Sequence, residues 1–306
     1  MKALKNVGKW LVLSGAWLSM VVSCQMVVPS SENGETINKI NSFALTATVR
    51  SASQTETQST VVAPLSLELP LYGLDASSGR VGWLHPTIQL QTSGDHQAVF
   101  RNDFPGVIVK NFIVVADITW ESSYASSGCG FALRAHNNGA HIDQYIVIIT
   151  RMADGYALFT AFAEGKPANL KEIYANGIDP LFNWENGSTN RLAVVAQGEK
   201  ITIYTNLTRL GTIDVTESPS AWPNLPPAPQ QPAGNASAQE FADYQKLKQS
   251  YLDISQTLEE RYLAIGENFR QLNSKYTEGF VSLAAVNSTG TTTCEFKNAW
   301  LWRIEP

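Results

Sequence analysis

Residues Asn190–Val215 read NRLAVVAQGEKITIYTNLTRLGTIDV, and this stretch decides the fold. Apolar side chains alternate along it with the period of a strand. The alternating apolar positions of the first two runs are Leu192, Val194, Ala196, Ile201 and Ile203. Gly198 and Asn206 separate the runs, and both residue types tolerate the positive φ of tight turns. The stretch therefore predicts a β-meander in the middle of a sandwich sheet.

Other runs with the composition of strands lie on both sides of the meander. They are Val61–Leu71, a turn and run ending at Trp83, Ala98–Arg101, Val107–Trp120, Cys129–Ala135, Gln144–Thr150, Tyr156–Ala163, Gly279–Val286 and Cys294–Ile304. The first part of Val107–Trp120 is apolar on both faces, as expected of a central strand between two layers. The sequence predicts an all-β antiparallel sandwich.

An insertion of different character precedes the last two strands. Pro219–Pro232 is rich in proline, and Ser237 with Glu240 forms a capping box that predicts a helix to about Tyr276. A proline segment and a helix of these lengths match, so the chain can run out and return as an arm. A flexible proline loop with a helix buried across the sandwich is the alternative. The insertion could also bind a protein partner.

Composition excludes some classes of function. The chain has 306 residues, of which 44% are hydrophobic and 16% charged, with a formal net charge of −5. This length supports a substantial core. Nucleic-acid binding requires a basic stripe, and the sequence contains none, so we expect no nucleic-acid partner.

The N-terminus has the order of an export signal. Lysines precede the apolar run Trp10–Val22, which is short for a membrane span, and the run is followed by Ser23 and Cys24. The stretch Val21–Cys24 resembles the lipobox of bacterial lipoproteins, which implies lipidation at Cys24 and anchoring to the cell envelope. A plain secretory signal is the alternative. Residues 25–60 are rich in polar residues and predict a flexible tether.

Two further cysteines, Cys129 and Cys294, form an even pair in an oxidising compartment. Both lie beside strand-like runs, and a disulfide between them is the favoured interpretation. Two buried free thiols remain the alternative.

Several strand-like runs together resemble a known group. They are 111–120, 129–134, 144–148, 190–211 and 294–300. These runs are similar to bacterial concanavalin A-like jelly-roll domains, in the laminin-G-like and 3-keto-disaccharide-hydrolase-like group. The lipobox and the insertion resemble lipoproteins of Chloroflexi-type bacteria. The resemblance covers about residues 75–215 and 277–305, and it implies carbohydrate or surface-polymer binding, with enzymes as a minority.

Glucanases on this fold place Glu-x-Asp-x-x-Glu on one strand. Here Asp117 and Glu121 share a strand face, but Val115 stands at the position of the first glutamate. A retaining glycosidase needs two carboxylates about 5 Å apart. We therefore assign no catalytic residue, and a glycan-active hydrolase is the alternative function.

The candidate ligand-binding residues lie on predicted loops. Trp184 stands in a polar loop, where an aromatic face could stack on a sugar while neighbouring polar groups bind its hydroxyls. The other candidates for ligand binding are Asp179, Asn183, Asn186, Tyr124, His136 and His141. Trp120, Trp300 and Trp302 lie on strands and are expected in the core.

Metal binding is a minor interpretation. His136, His141 and Asp143 could surround a metal if a hairpin brings them together, although such polar tips usually face water. Loop carboxylates that could hold Ca²⁺ are Asp75, Asp95, Asp103 and Asp179. No cofactor is expected.

The predicted organisation has four parts: a signal in residues 1–24, a tether in 25–60, a sandwich in 61–218 and 277–306, and an insertion in 219–276. The predicted function is a lipid-anchored, non-catalytic surface module for a glycan or another envelope component. A structural or assembly role acting through the insertion is a second alternative.

Overall fold

A computed structural model describes residues 65–137, 141–175, 177–220 and 228–305. Cys24 and the 25–60 tether lie outside the described residues. No helix in the described part has the length and hydropathy needed to cross a membrane.

Strands dominate the described chain. Their bounds are β1 Gly79–His85, β2 Ile88–Ser93, β3 Gln97–Arg101, β4 Phe112–Ser122, β5 Gly128–Asn137, β6 Ile142–Thr150, β7 Tyr156–Ala163, β8 Lys166–Tyr174, β9 Thr189–Gln197, β10 Lys200–Thr205, β11 Thr208–Asp214, β12 Phe280–Asn287 and β13 Thr291–Ile304. Sheet I has seven strands, β1-β13-β4-β9-β10-β11 with β2 on β13, and sheet II has six, β3-β12-β5-β6-β7-β8. All pairings between these strands are antiparallel. The predicted all-β sandwich is confirmed.

The main core fills the space between the two sheets. Alternate residues of β4, including Phe112 and Trp120, face alternate residues of β6 and β7, including Tyr145 and Phe159. Each fully buried side chain of this size contributes roughly 1.5–3 kcal/mol. The meander predicted from Asn190–Val215 is the adjacent β9, β10 and β11 of sheet I, and its alternating apolar residues are in this core.

A disulfide joins the two sheets through the core. Cys129 of β5 in sheet II is bonded to Cys294 of β13 in sheet I, with the Cα atoms 5.8 Å apart. Both residues are fully buried.

The segment predicted as the strand Val61–Leu71 is helical from Leu65 onward, so that prediction is wrong for the described residues. A 3₁₀ helix covers Leu69–Tyr72 and ends at Gly73, whose φ is 73°. Pro70 fits the first turn of a helix but cannot donate to a strand ladder, and glycine readily adopts the left-handed conformation. The segment covers part of the outer face of sheet I, where it packs in one cluster with Trp300 and Trp302.

Two strands of the structure, β2 and β8, were not predicted from the sequence. In β2, polar and apolar residues alternate, and in β8, Pro167 and charged residues interrupt the pattern. Among the described strands, β8 pairs with β7 alone. Proline is tolerated on such an edge strand, because one side of it needs no ladder hydrogen bonds.

The long helix α1 spans Ala238–Gln271 and starts with the predicted capping box between Ser237 and Glu240. It ends before Tyr276, because Leu272 is extended, with φ −103° and ψ 147°. Tyr276 lies in the main core instead, where its hydroxyl donates to the carbonyl of Phe162 over 2.7 Å. The prediction of a helix reaching Tyr276 is therefore wrong at its C-terminal end.

The chain that leads into the insertion lies beside β8, and the helix of the insertion packs on sheet II. Side chains of β8 donate to the carbonyls of Glu217 and Ser218 on the outgoing chain. On the return, Tyr262 and Ile265 are buried in a cluster on the outer face of sheet II. The buried residues of α1 all lie from Ser255 onward. Residues 238–254 of the helix, about 25 Å at 1.5 Å per residue, contain no buried side chain.

Candidate functional site

The structure places the predicted ligand-binding residues at opposite ends of the sandwich. Trp184 and Tyr124 lie where β4 ends and β9 begins, which we call the Trp184 end. His136 and His141 lie at the β5–β6 hairpin, the opposite end. β5 connects the two ends with 10 residues, or about 33 Å. These residues therefore do not form one site.

The carboxylate of Asp179 holds its own loop together. It is only 3% exposed, and Oδ1 accepts a hydrogen bond from the backbone N–H of Leu181 at 2.9 Å. Oδ2 accepts from Thr205 Oγ1 at 2.6 Å and from Asn206 Nδ2 at 3.1 Å. With both oxygens engaged inside the protein, Asp179 positions the β8–β9 loop and is not exposed to a ligand.

The asparagines of this loop also bind within the protein. Both side-chain groups of Asn186 bind the backbone of Ser122, at 3.0 and 3.1 Å. Asn183 accepts from the N–H of Glu185 at 3.1 Å, and buried Asn190 holds both backbone groups of Asn183. Asn190 and Asn206 were not among the candidate ligand-binding residues, and Asn206 was predicted only as a turn residue, although both hold this loop in place. The result is a rigid loop in which the indole of Trp184 remains 38% exposed.

The structure also shows the neighbours of Tyr124 and of the two candidate histidines. Tyr124 is half-buried, and its carbonyl accepts from the N–H of Ser127 at 3.1 Å. His136 is exposed, with Nδ1 3.0 Å from the carbonyl oxygen of Arg134. Exposed His141 lies beside Gly165 at the neighbouring turn.

The proposed metal ligands do not assemble. Asp143 lies opposite His136 in the β5–β6 ladder, and its Oδ1 accepts from the N–H of Glu164 at 2.7 Å. Asp95 accepts from Thr289, and Asp103 is paired with Arg101. Within the described residues, no group of three His, Cys, Asp or Glu side chains could hold a metal ion.

A different candidate site emerges on the outer face of sheet I. The half of this face near the opposite end is apolar and is covered by the segment that starts at Leu65. The half near the Trp184 end carries polar side chains, which we call the polar face. Its members are Gln89, Gln91, Thr119, Glu121, Thr189, Thr293 and Glu295.

Strand register places these side chains next to one another. Thr119 is opposite Thr189 on β9 and opposite Glu295 on β13. Glu121 is opposite Thr293, and the ladder continues from β13 to the glutamines of β2. Adjacent strands lie about 4.8 Å apart, so four strands present one continuous surface. The hydroxyl oxygens of Thr119 and Thr189 are 2.6 Å apart.

An ionic cluster marks the boundary between the covered and the polar halves. Arg191 Nη1 is 2.5 Å from Asp117 Oδ1, and Nη2 is 2.6 Å from Glu68 Oε1. Burial alone would lower the pKa of Arg191, but the hydrogen bond to Asp117 and the charges of both carboxylates outweigh it and raise that pKa. Asp117 Oδ2 also accepts from Asn298 Nδ2 at 2.7 Å. The cluster thus joins Glu68 of the covering segment to sheet I.

The Trp184 loop borders the polar face. Asn186 binds the backbone of Ser122, which follows Glu121 on β4. Trp184 stands two residues before this anchor, on the loop that meets the end of β4. Glu121 is exposed, and Glu295 is paired with Lys297 at 2.7 Å.

Comparisons with known proteins add little to this geometry. No family model and no curated protein matches the chain. Among solved structures, the carbohydrate binding module CBM66 from Bacillus subtilis aligns with a TM-score of 0.41 at 13% identity, over 72% of this chain and 91% of that one. The Bacillus licheniformis β-glucanase aligns with a TM-score of 0.37 at 8% identity, over 71% and 77%.

A fructosyltransferase from A. japonicus aligns with a TM-score of 0.38 at 13% identity. The alignment covers 74% of this chain but 26% of that enzyme. At these identities and TM-scores, a shared ligand or activity does not follow.

A signal for the polar face is present in the sequence. In Thr291–Lys297, the odd positions are polar, whereas Thr292, Cys294 and Phe296 are buried. The same alternation continues from Asp117 to Glu121 on β4. Alternation identifies a polar strand face, but it does not show which strands are neighbours. That step requires the sheet order.

Proposed function

We propose that the protein is a lipid-anchored, non-catalytic module of the cell envelope that binds a glycan or a related envelope polymer on the polar face. The observation that supports it is the half of sheet I that the described residues leave uncovered and that carries only polar side chains. Within the described residues, the covering segment lies on the apolar half of this face, and the Arg191 cluster separates that half from the polar one.

The chemistry of this surface suits a sugar chain. Hydroxyls of threonine both donate and accept, the glutamines donate and accept through separate atoms, and Glu121 accepts. Sugar hydroxyls need both kinds of partner. An exposed indole such as that of Trp184 can stack on the apolar face of a sugar ring. Because the groups stand on paired strands, little side-chain or backbone ordering is needed on binding.

Binding is favoured over hydrolysis by the state of the carboxylates. A retaining glycosidase needs two cooperating carboxyl groups about 5 Å apart. Asp117 has both oxygens engaged, with Arg191 and with Asn298, and Glu295 is paired with Lys297. Among the carboxylates described on this face, Glu121 therefore has no unpaired second carboxylate. Release of reducing sugar from a bound polysaccharide would favour the hydrolase instead.

The test is a glycan array on the chain without residues 1–24, followed by titration calorimetry of the best ligand. Thr189→Val and Glu121→Gln should each weaken binding about tenfold, which corresponds to the loss of one or two hydrogen bonds. Trp184→Ala should weaken it by a similar or larger factor.

The matched control is Thr202→Val. Thr202 forms a hydroxyl pair with Thr212 at 2.8 Å, as Thr119 does with Thr189, but it lies on β10, outside the polar face. The affinity of the Thr202→Val variant for the ligand should equal that of the parent. Equal weakening by Thr202→Val and Thr189→Val, or no ligand on the array, would contradict the proposed site.

The proposed lipid anchor is tested in a separate experiment. Cys24→Ala should release the protein from the membrane fraction or leave the signal uncleaved, because Cys24 alone follows a basic, apolar and small-residue signal. Mass spectrometry of the mature protein should show a lipid on the parent and none on the variant. An unchanged mass and unchanged fractionation would rule out lipidation at this cysteine.

A further inference from the structure

The basic side chains next to the polar face are already paired with carboxylates. Lys297 Nζ is 2.7 Å from Glu295 Oε2, and the guanidinium of Arg191 is held by Asp117 and Glu68. Arg191 and Lys297 are the basic residues that the described strands place beside this face. Neither therefore offers an unpaired positive charge to an anionic ligand.

Glu121 is in the opposite situation. Its side chain is exposed, and no ion pair within the described residues joins it to a basic side chain. In and around the polar face, the two basic residues stand against four carboxylates, those of Glu68, Asp117, Glu121 and Glu295. Two negative charges are therefore left unbalanced on this surface.

The guanidinium of Arg151 lies close by but is held away from the polar face. It donates from Nε to Ser122 Oγ and from Nη2 to the carbonyl of Ser122, both at 3.2 Å. Ser122 follows Glu121 on β4, and its side chain is buried, because successive side chains of a strand point to opposite faces of the sheet. Arg151 is therefore engaged on the side of β4 that faces away from the polar face.

The other groups of the polar face are mostly uncharged, and they both donate and accept hydrogen bonds. The Thr119–Thr189 hydroxyl pair is matched by a second pair, Ser93 with Thr291, in which the oxygens are 3.1 Å apart. Ser93 and Thr291 stand opposite each other, one alternate position beyond Gln91 and Thr293 on β2 and β13. Each pair uses one hydroxyl proton internally and leaves the second proton and further lone pairs for a ligand.

From this distribution of charge we infer that the polymer bound on the polar face is an uncharged polysaccharide, and that Glu121 accepts hydrogen bonds from its hydroxyls. The inference rests on the proposed function and narrows it to a class of ligand. A carboxylate accepts stronger hydrogen bonds than a neutral oxygen, and its two oxygens can accept from two hydroxyls at once. Sugar hydroxyls can thus replace the water that Glu121 loses on binding, which a buried carboxylate requires.

Charged polymers fit this surface less well. A polymer with carboxylate, sulfate or phosphate groups would bring them against the unbalanced negative charge, and repulsion between like charges grows as water is displaced. A polymer of free amino sugars would find one unpaired carboxylate, at Glu121. Uncharged hydroxyls would instead find partners on all four strands of the face.

The experiment measures binding of the chain without residues 1–24 to soluble polysaccharides of three charge classes. The uncharged probes are dextran, mannan, galactan and a β-glucan; the anionic probes are polygalacturonate, alginate and dextran sulfate; the cationic probe is chitosan. The best ligand of the glycan array is added to its own class. The tightest ligand should be uncharged, and its affinity should change by no more than about twofold between roughly 0.05 M and 0.5 M salt, because screening acts on charges.

Glu121→Lys tests the role of this carboxylate. The variant should bind the tightest uncharged probe at least about tenfold more weakly, because the acceptor of its hydroxyls is lost. Its affinity for polygalacturonate at low salt should rise by about tenfold, because the change removes the unbalanced negative charge.

The matched control is Glu199→Lys, which changes the net charge by the same amount. Glu199 is exposed in the turn between β9 and β10, at the opposite end of β9 from Thr189. Both affinities of this variant should equal those of the parent.

The inference is overturned if an anionic probe binds most tightly, if chitosan does so at roughly 0.5 M salt, or if the affinity for the uncharged probe falls more than about tenfold over the salt range. In these cases a glycan is still bound, so the proposed function stands. Equal affinities of the Glu121→Lys and Glu199→Lys variants for the probes would also overturn it. If nothing binds, neither among the probes nor on the array, the proposed function fails and the inference fails with it.

Discussion

Removing the buried disulfide, as Cys129→Ala with Cys294→Ala, is expected to lower the free energy of unfolding by up to about 5 kcal/mol. The bond joins residues separated by 165 positions, so it closes a very long loop in the unfolded chain. It also connects β5 in sheet II with β13 in sheet I, across the main core. Chemical denaturation of the parent and the double variant measures the difference.

The control for this prediction is the parent chain after reduction, which should unfold at the same denaturant concentration as the double variant. Alkylation of the denatured, unreduced mature chain should modify neither Cys129 nor Cys294. Two alkylated thiols, or equal unfolding midpoints for the parent and the double variant, would contradict the stabilising role of this bond.

The second large effect is expected at Arg134. The residue is only 1% exposed, and its guanidinium donates to the carbonyl of Lys110 at 2.8 Å and to that of Tyr276 at 2.9 Å. Arg134→Met keeps the length of the side chain but leaves both carbonyls without this donor. We expect a loss of about 2–5 kcal/mol in the free energy of unfolding, since each unsatisfied buried group costs roughly 1–3 kcal/mol.

Arg134 has this effect because it connects separate parts of the chain. Lys110 precedes β4, and Tyr276 lies on the return from the insertion to β12. Nearby, burial raises the pKa of Tyr145 to about 12, and the neutral hydroxyl accepts from the N–H of Tyr276 at 2.8 Å. Arg134→Lys should recover part of the loss, because an ammonium can still donate to one carbonyl.

Arg209→Met is the matched control for this prediction. Arg209 is exposed and donates to Thr212 on the same strand. Its replacement should change the free energy of unfolding by no more than about 0.5 kcal/mol. Equal unfolding curves for Arg134→Met and the parent would show that the guanidinium does not stabilise the return of the insertion.

An element was predictable from the sequence where its local pattern and its contacts in the fold favour the same secondary structure. The meander was predictable because alternating apolar residues and turn residues both indicate three neighbouring strands. The start of α1 was predictable because Ser237 and Glu240 satisfy helix N–H groups locally. Leu65–Tyr72 was misread, since the same apolar residues can cover a sheet face as a helix.

The candidate site was less predictable for a physical reason. Asparagine and aspartate are equally suited to binding a ligand and to binding backbone N–H groups of their own loop. In the β8–β9 loop, Asp179 and Asn186 bind within the protein. The polar face requires knowledge that β2, β13, β4 and β9 are neighbours, which strand periodicity does not contain. The position of Trp184 on a loop and the shared strand face of Asp117 and Glu121 were accessible from the sequence.

The course of the insertion beside β8 has a consequence for how the molecule behaves in a crowded solution. An unpaired strand edge is a template for joining another chain, and in the part of the chain that the structure describes β8 is paired only with β7. Asn169 and Lys171 bind the outgoing chain through their side chains, at 3.1 and 3.2 Å, and α1 packs across the same strand. These contacts bring other parts of the chain against the edge strand without adding a further strand, and we expect them to hinder the addition of a strand from another molecule.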